Sequence, residues 1–227
     1  MKKWTMLLLG LVFLFGAVDA MAIGIGPYAG FEFGKASLKS TDDDAGDAID
    51  FKTNHYTVGF FLDTATRRDN LFNYRLNVGV DLMGIRPDDE LDFGRDPEKV
   101  SGWGFDMKHT FGFGVFRSEM VRVWLGPAIK LYYASLSKED SWLGDESLSV
   151  LGIGGGPEVG VNINLPGGLF TVALSGGYNY NYVVASVSGE DFTAHGPEHM
   201  FYFQIAPVFN FGSDREAWGA ESAVPAP

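Results

Sequence analysis

The chain has 227 residues, no cysteine and a formal net charge of −12. That length fits one domain of moderate size, and the acidity argues against a nucleic-acid partner, whose phosphates demand a basic surface. Aromatics make up 15% and there are 30 glycines, a combination suited to tightly curved β-structure that no disulfide holds together.

Residues 1–22, "MKKWTMLLLGLVFLFGAVDAMA", read as a secretory signal peptide. Lys2 and Lys3 supply a positive start, 6–15 an apolar stretch, and Ala17, Ala20 and Ala22 small residues for cleavage. The apolar run is shorter than the ~20 residues a spanning helix needs, so export is favoured over anchoring. Losing Lys2, Lys3 and Asp19 leaves the mature chain more acidic still.

Beyond residue 22, period-2 alternation predicts eight strands. The first, 23–38, puts Ile25, Pro27, Ala29, Phe31 and Phe33 on one face. The second, 51–64, carries Tyr56, Val58, Phe60 and Leu62. In the third, 72–82, Phe72, Tyr74, Leu76, Val78, Val80 and Leu82 alternate with Asn73, Arg75, Asn77, Gly79 and Asp81. The fourth, 103–115, carries Trp103, Phe105, Met107, Phe111 and Phe113. The fifth, 121–133, carries Val123, Leu125, Pro127, Ile129 and Leu131. The sixth, 151–165, carries Leu151, Ile153, Val159 and Val161. The seventh, 170–182, carries Phe170, Val172 and Leu174, then Tyr178, Tyr180 and Tyr182. The eighth, 200–211, carries Phe201, Phe203, Ile205, Pro207, Phe209 and Phe211.

Long connections are expected near 39–50, 84–101, 137–147 and 187–199, and short ones near 65–70, 117–120 and 166–168. All long connections then lie at one end, with both termini at the other. That is the plan of a transmembrane β-barrel: an even number of antiparallel strands, short turns on one side and longer loops on the other. A soluble sandwich or lipocalin-like barrel also alternates. Three features favour the membrane barrel: glycines such as Gly79, Gly112, Gly152 and Gly160 on the less apolar face, where a narrow lumen needs room; aromatics towards strand ends, as interfacial girdles; and export without cysteine. Pro27, Pro127, Pro157 and Pro207 stand against it, because proline removes a ladder donor and a closed barrel has no edge. Three of them lie near the terminus end; Pro157 is deeper.

In this architecture, and in its closing "FNF" at Phe209–Phe211, the chain resembles the small eight-stranded outer-membrane proteins, the OmpA-barrel, OmpX and OmpW group. The resemblance covers 23–211. It implies an all-β, eight-stranded antiparallel up-and-down barrel in the bacterial outer membrane, monomeric and surrounded by outer-membrane lipid. It also implies that Phe209 and Phe211 are an assembly signal for the outer-membrane insertion machinery. The family's final aromatic usually ends the chain; here residues 212–227 follow, expected to be a short periplasmic tail.

The inward parity carries Glu32, Arg75, Asp81, Asp106, Lys108, Arg122, Lys130 and Glu158. Buried charges must be paired, so Glu32, Lys108, Lys130 and Glu158, at similar middle heights, are expected to form one network, with Lys130 and Glu158 a pair to test. An eight-stranded interior is only wide enough for side chains, which favours a plugged lumen over an open pore. The loops are acidic: Asp42, Asp43, Asp44, Asp47 and Asp50, then Asp88, Asp89, Glu90, Asp92, Asp96 and Glu98. They lack EF-hand spacing and read as solvated surface that could meet an extracellular ligand. "HGPEH" places His195, Glu198 and His199 at the H-x-x-E-H spacing of some zinc enzymes, but Gly196 and Pro197 break the helix that spacing requires, leaving a weak metal candidate. His109 lies on the lipid parity without a serine or carboxylate in register. No cofactor is expected. The reading is a non-enzymatic barrel with a structural or surface-interaction role. The alternatives are a narrow channel for ions or small solutes and a lipid A-modifying enzyme.

Overall fold

A computed structural model describes residues 23–41, 48–64, 71–88, 100–118, 120–137, 147–188 and 192–211. The leader, the tail from 212 and most of the acidic loop residues (Asp42, Asp43, Asp44, Asp47, Asp89, Glu90, Asp92, Asp96, Glu98) lie outside them; Asp50 and Asp88 lie within. The described residues form eight strands: β1 (Ile23–Ser40), β2 (Ile49–Asp63), β3 (Phe72–Pro87), β4 (Val100–Arg117), β5 (Val121–Ser137), β6 (Leu148–Asn164), β7 (Phe170–Val187) and β8 (Thr193–Phe211). Each pairs antiparallel with its sequence neighbours, and β8 returns to β1 to close the barrel.

The alternation fixes which side chains face out. Phe60 is 73% exposed and Val58 61%, while the flanking residues Thr57 and Phe61 are buried. Such an exterior is tolerable only against lipid. It runs round the barrel through Val78, Phe105, Ile129, Ile153, Phe203 and Ile205. The lumen glycines make room for bulk, as anticipated. A Cβ on Gly160 would lie 2.1 Å from the Trp124 ring, and one on Gly152 2.2 Å from the Tyr132 ring.

Most strands are longer than the alternation suggests, chiefly at the long-loop end. β5 reaches Ser137 rather than 133, β7 reaches Val187 rather than 182, and β8 starts at Thr193 rather than 200. In these extensions the parity continues but the chemistry reverses. Leu136, Val150, Val183, Ala185 and Val187 turn inward into an apolar cluster with Leu38, Met83 and Ile85. Ser135, Ser137, Ser149 and Ser186 turn outward. The barrel therefore ends in a rim built like a water-soluble protein, apolar inside and polar outside.

The prolines occupy seams. Pro127 and Pro157 are register partners on β5 and β6. The outer side of each pairing is interrupted: β4/β5 between Thr110–Ala128 and Phe113–Leu125, and β6/β7 between Gly155–Tyr180 and Glu158–Gly177. The β1/β8 ladder likewise breaks between Ile25–Phe209 and Ala29–Ile205, where Pro27 and Pro207 lie. Pro157 thus costs its ladder one local gap, grouped with that of its partner.

Candidate functional site: a filled lumen and a cleft in its wall

The lumen is built in layers. At the terminus end Arg75, on β3, pairs with Asp63 at 2.8 Å and donates to Asn162 Oδ1 at 2.6 Å; its guanidinium stacks 3.9 Å from the Trp124 ring. Arg122 is buried at the same end, opposite Asn162. Tyr28, Phe61, Ala173, Ala206 and Val208 form a small apolar cluster that packs separately from the rim.

The middle layer holds the four charges expected to form one network, and they divide into two pairs. Lys130 Nζ lies 2.7 Å from Glu32 and 3.5 Å from Asp106, which accepts from the Tyr28 hydroxyl at 2.7 Å. Lys108 Nζ lies 3.3 Å from Glu158 and donates to Gln204 Oε1 at 2.7 Å; Thr110 donates to Glu158 at 2.6 Å. The Lys130–Glu158 pairing is therefore corrected: the partner of Lys130 is Glu32, reached across the barrel from β1. Both ammonium groups also lie near aromatic rings, Lys108 3.9 Å from that of Tyr202 and Lys130 5.0 Å from that of Tyr132.

Nearer the rim, His55 Nδ1 lies 2.5 Å from Asp81 Oδ2, and Nε2 is 3.8 Å from Glu198 Oε1. Glu198 accepts from Tyr132 at 2.6 Å and from Asn181 at 2.9 Å. His55, Asp63 and Glu198 are missing from the inward set read from sequence. The inward parity of β2, from Thr53 to Asp63, contains the first two. Glu198 lies in the part of β8, Thr193 to 199, that precedes the predicted start of the strand at 200. Among the described residues the buried set thus holds six carboxylates, four Lys or Arg and His55. The charged side chains are deeply buried: Lys108, Lys130, His55 and Glu198 are at 0% exposure and Glu32 at 1%.

The H-x-x-E-H candidate does not assemble. The segment is a strand, so Glu198 points into the lumen while His195 and His199 take the outward parity. His199 bonds to the Tyr178 hydroxyl instead. His109 likewise bonds to the Tyr74 hydroxyl at 2.6 Å on the outer face.

Outside, a cleft of about 890 Å³ lies over the two facing prolines. Gly155, Gly156, Gly176 and Gly177 thin the wall there, Leu125, Val159, Tyr178 and Phe201 edge it, and Glu158 contributes to its lining.

No protein-family model matches the chain, and no curated protein does either. Among solved structures, the crystal structure of the outer membrane protein OprG from Pseudomonas aeruginosa matches with TM-score 0.60 and 11% identity, covering 86% of this chain and 98% of that one. The solid-state NMR structure of outer membrane protein AlkL in lipid bilayers matches with TM-score 0.51 and 12% identity, covering 86% and 92%. The chain has the fold of the small eight-stranded outer-membrane β-barrels.

Proposed function

We propose that this protein is an outer-membrane barrel that conducts nothing along its axis and acts through its surface, without enzymatic chemistry. The observation that supports this reading is that the ion pairs Lys130–Glu32 and Lys108–Glu158 are buried across the lumen, with the apolar rim cluster beyond them. Both are packed side chains within the wall rather than loops that could swing aside. The partner of His109, a phenol rather than a carboxylate, supports the non-enzymatic reading. The acidic loop residues are then the candidate contact with an extracellular ligand. The folded protein in planar bilayers should show no conductance steps above leak. Steps that change on Lys130→Met would establish an axial path and overturn the reading.

The wall cleft favours a second reading, a binding site for an apolar molecule drawn from the membrane, since its edge is aromatic and aliphatic and its floor is lined by glycines. Val159→Trp would fill it from β6. A fluorescent fatty-acid probe should bind the folded protein in nanodiscs and be lost in that variant; equal binding by both would exclude the cleft as the site.

A further inference from the structure

The pairing of β1 with β8 is the one contact of the barrel wall whose two strands are not neighbours in sequence. In a hairpin the turn sets the register. At the closing seam something else must set it, and the register chosen there fixes the shear of the whole barrel.

The lipid face cannot choose. Outward on β8 stand Phe201, Phe203, Ile205, Pro207, Phe209 and Phe211, the first three opposite Phe33, Phe31 and Ala29 of β1. Sliding β8 by two residues keeps the parity. It puts Phe203 where Phe201 was, Ile205 where Phe203 was and Phe211 where Phe209 was, so lipid meets much the same surface. The backbone objects only weakly. Pro27 and Pro207 lie in one gap of the ladder, and a slip would part them and remove one further donor.

The inward face is not degenerate. Along β1 it runs Gly30, Glu32, Gly34, Ala36, and opposite them on β8 stand Gln204, Tyr202, Met200 and Glu198. Gln204 lies over Gly30, where a Cβ would come within 3.3 Å of its Cγ, and Met200 lies over Gly34, where a Cβ would be 2.6 Å from the sulfur. The same side chains reach past β1 to the strands beyond. Thr53 on β2 donates to Met200 Sδ at 3.0 Å, and Glu198 Oε1 lies 3.8 Å from His55 Nε2 on the same strand. Gln204 Oε1 accepts from Asn77 on β3 at 2.9 Å and from Lys108 on β4 at 2.7 Å. A two-residue slip displaces β8 by ~6.8 Å, sets Gln204 against Glu32 and breaks these contacts. All of these polar groups are buried, and a buried polar group that loses its partner is strongly unfavourable.

We propose that β8 is aligned from the inside: Glu198, Met200 and Gln204 select its register against β1, with Ala36, Gly34 and Gly30 as their sockets, while the apolar outer face serves insertion and not alignment. The proposal is independent of whether the lumen conducts and of what the wall cleft binds.

The chain has no cysteine, so engineered pairs in the full chain report the register. Phe33→Cys with Phe201→Cys joins register partners. Phe33→Cys with Phe203→Cys joins positions that face each other only after the slip; as a diagonal pair they lie beyond the ~7 Å a disulfide spans. Disulfide formation is read on the folded, heat-modifiable gel band. In the parent sequence only the first pair is expected to crosslink. The decisive variant moves the inward set two positions along β8, by Glu198→Ala, Met200→Glu, Tyr202→Met, Gln204→Tyr and Ala206→Gln. There the second pair is expected to carry the larger share, a gain that misfolding cannot imitate. Glu198→Leu with Gln204→Leu, which erases the polar keys, is expected to yield both crosslinks. A parent that crosslinks through both pairs, or a moved set that still crosslinks only through the first, would overturn the proposal and leave alignment to the prolines. If the moved set gives no folded band the leucine variant decides: crosslinking only through the first pair in its folded band overturns the proposal, and crosslinking through both supports it.

Discussion

Lys130 sits between two carboxylates, and that decides what its removal does. With Glu32 at 2.7 Å and Asp106 at 3.5 Å, Lys130→Met leaves two buried acids facing each other without a cation. Breaking a buried pair typically costs ~3–5 kcal/mol, and a loss of that order is expected in urea unfolding from lipid vesicles. Adding Glu32→Gln should recover part of it; adding Glu158→Gln should not, because Glu158 answers to Lys108. Double-mutant cycles separate the two: a coupling for 130 with 158 as large as for 130 with 32 would mean that the lumen charges act as a single network. Gly160 tests packing in the same way. A Cβ there meets the Trp124 ring at 2.1 Å, so Gly160→Ala is expected to cost ~1–3 kcal/mol by overpacking and to shift the tryptophan near-UV dichroism. Unchanged stability and spectrum would show that Trp124 has room to move.

At the scale of the strand, parity proves more durable than polarity. The eight elements, their order and their outward faces were legible because lipid on one side and a narrow lumen on the other impose a period of two from Ile25 to Phe211. The strand ends at the loop side were not, because the reading equated outward with apolar. Beyond the lipid the solvent outside is water, so the same alternation carries Ser135 out and Leu136 in. A rule tuned to the membrane band reads that reversal as the end of the strand. The same reversal conceals Glu198 from a lumen set drawn by polarity and gives "HGPEH" the composition of a loop, although it is part of β8. The ion-pair partners were illegible for a different reason: parity gives a direction and approximate height, but pairing across the barrel depends on the stagger between strands. The reversal itself makes a prediction. Ser135→Asp, outward on the rim, should lie within about 0.5 kcal/mol of wild type. Leu136→Asp, one residue on and fully buried, places a carboxylate in the apolar cluster and should cost several kcal/mol. Urea midpoints of the two variants check it, and equal midpoints would mean that the rim is not packed.

For the molecule as a whole, closure waits on the last strand. Ile23 pairs with Phe211 and Ile25 with Phe209, which also stacks on Phe170 with centroids 4.4 Å apart. The barrel therefore cannot close until the final residues of the fold have been placed, a long-range contact of the kind that makes β topologies slow. Phe211→Ala is expected to reduce assembly in cells much more than refolding yield in detergent, whereas removing 213–227 should leave assembly near wild type. Surface protease accessibility and heat-modifiable gel mobility report both; a tail deletion that blocks assembly while Phe211→Ala does not would move the signal into the tail. The rim carries one more consequence, a thermal one. On unfolding, Leu136, Leu148, Val150, Val183 and Val187 exchange a protein interior for water, and such exposure raises the heat capacity and bends the stability curve. The side chains in the bilayer band face lipid rather than water and contribute less to that curvature. The collar above the membrane should therefore loosen on cooling as well as on heating, in a protein whose embedded half responds far less to cold.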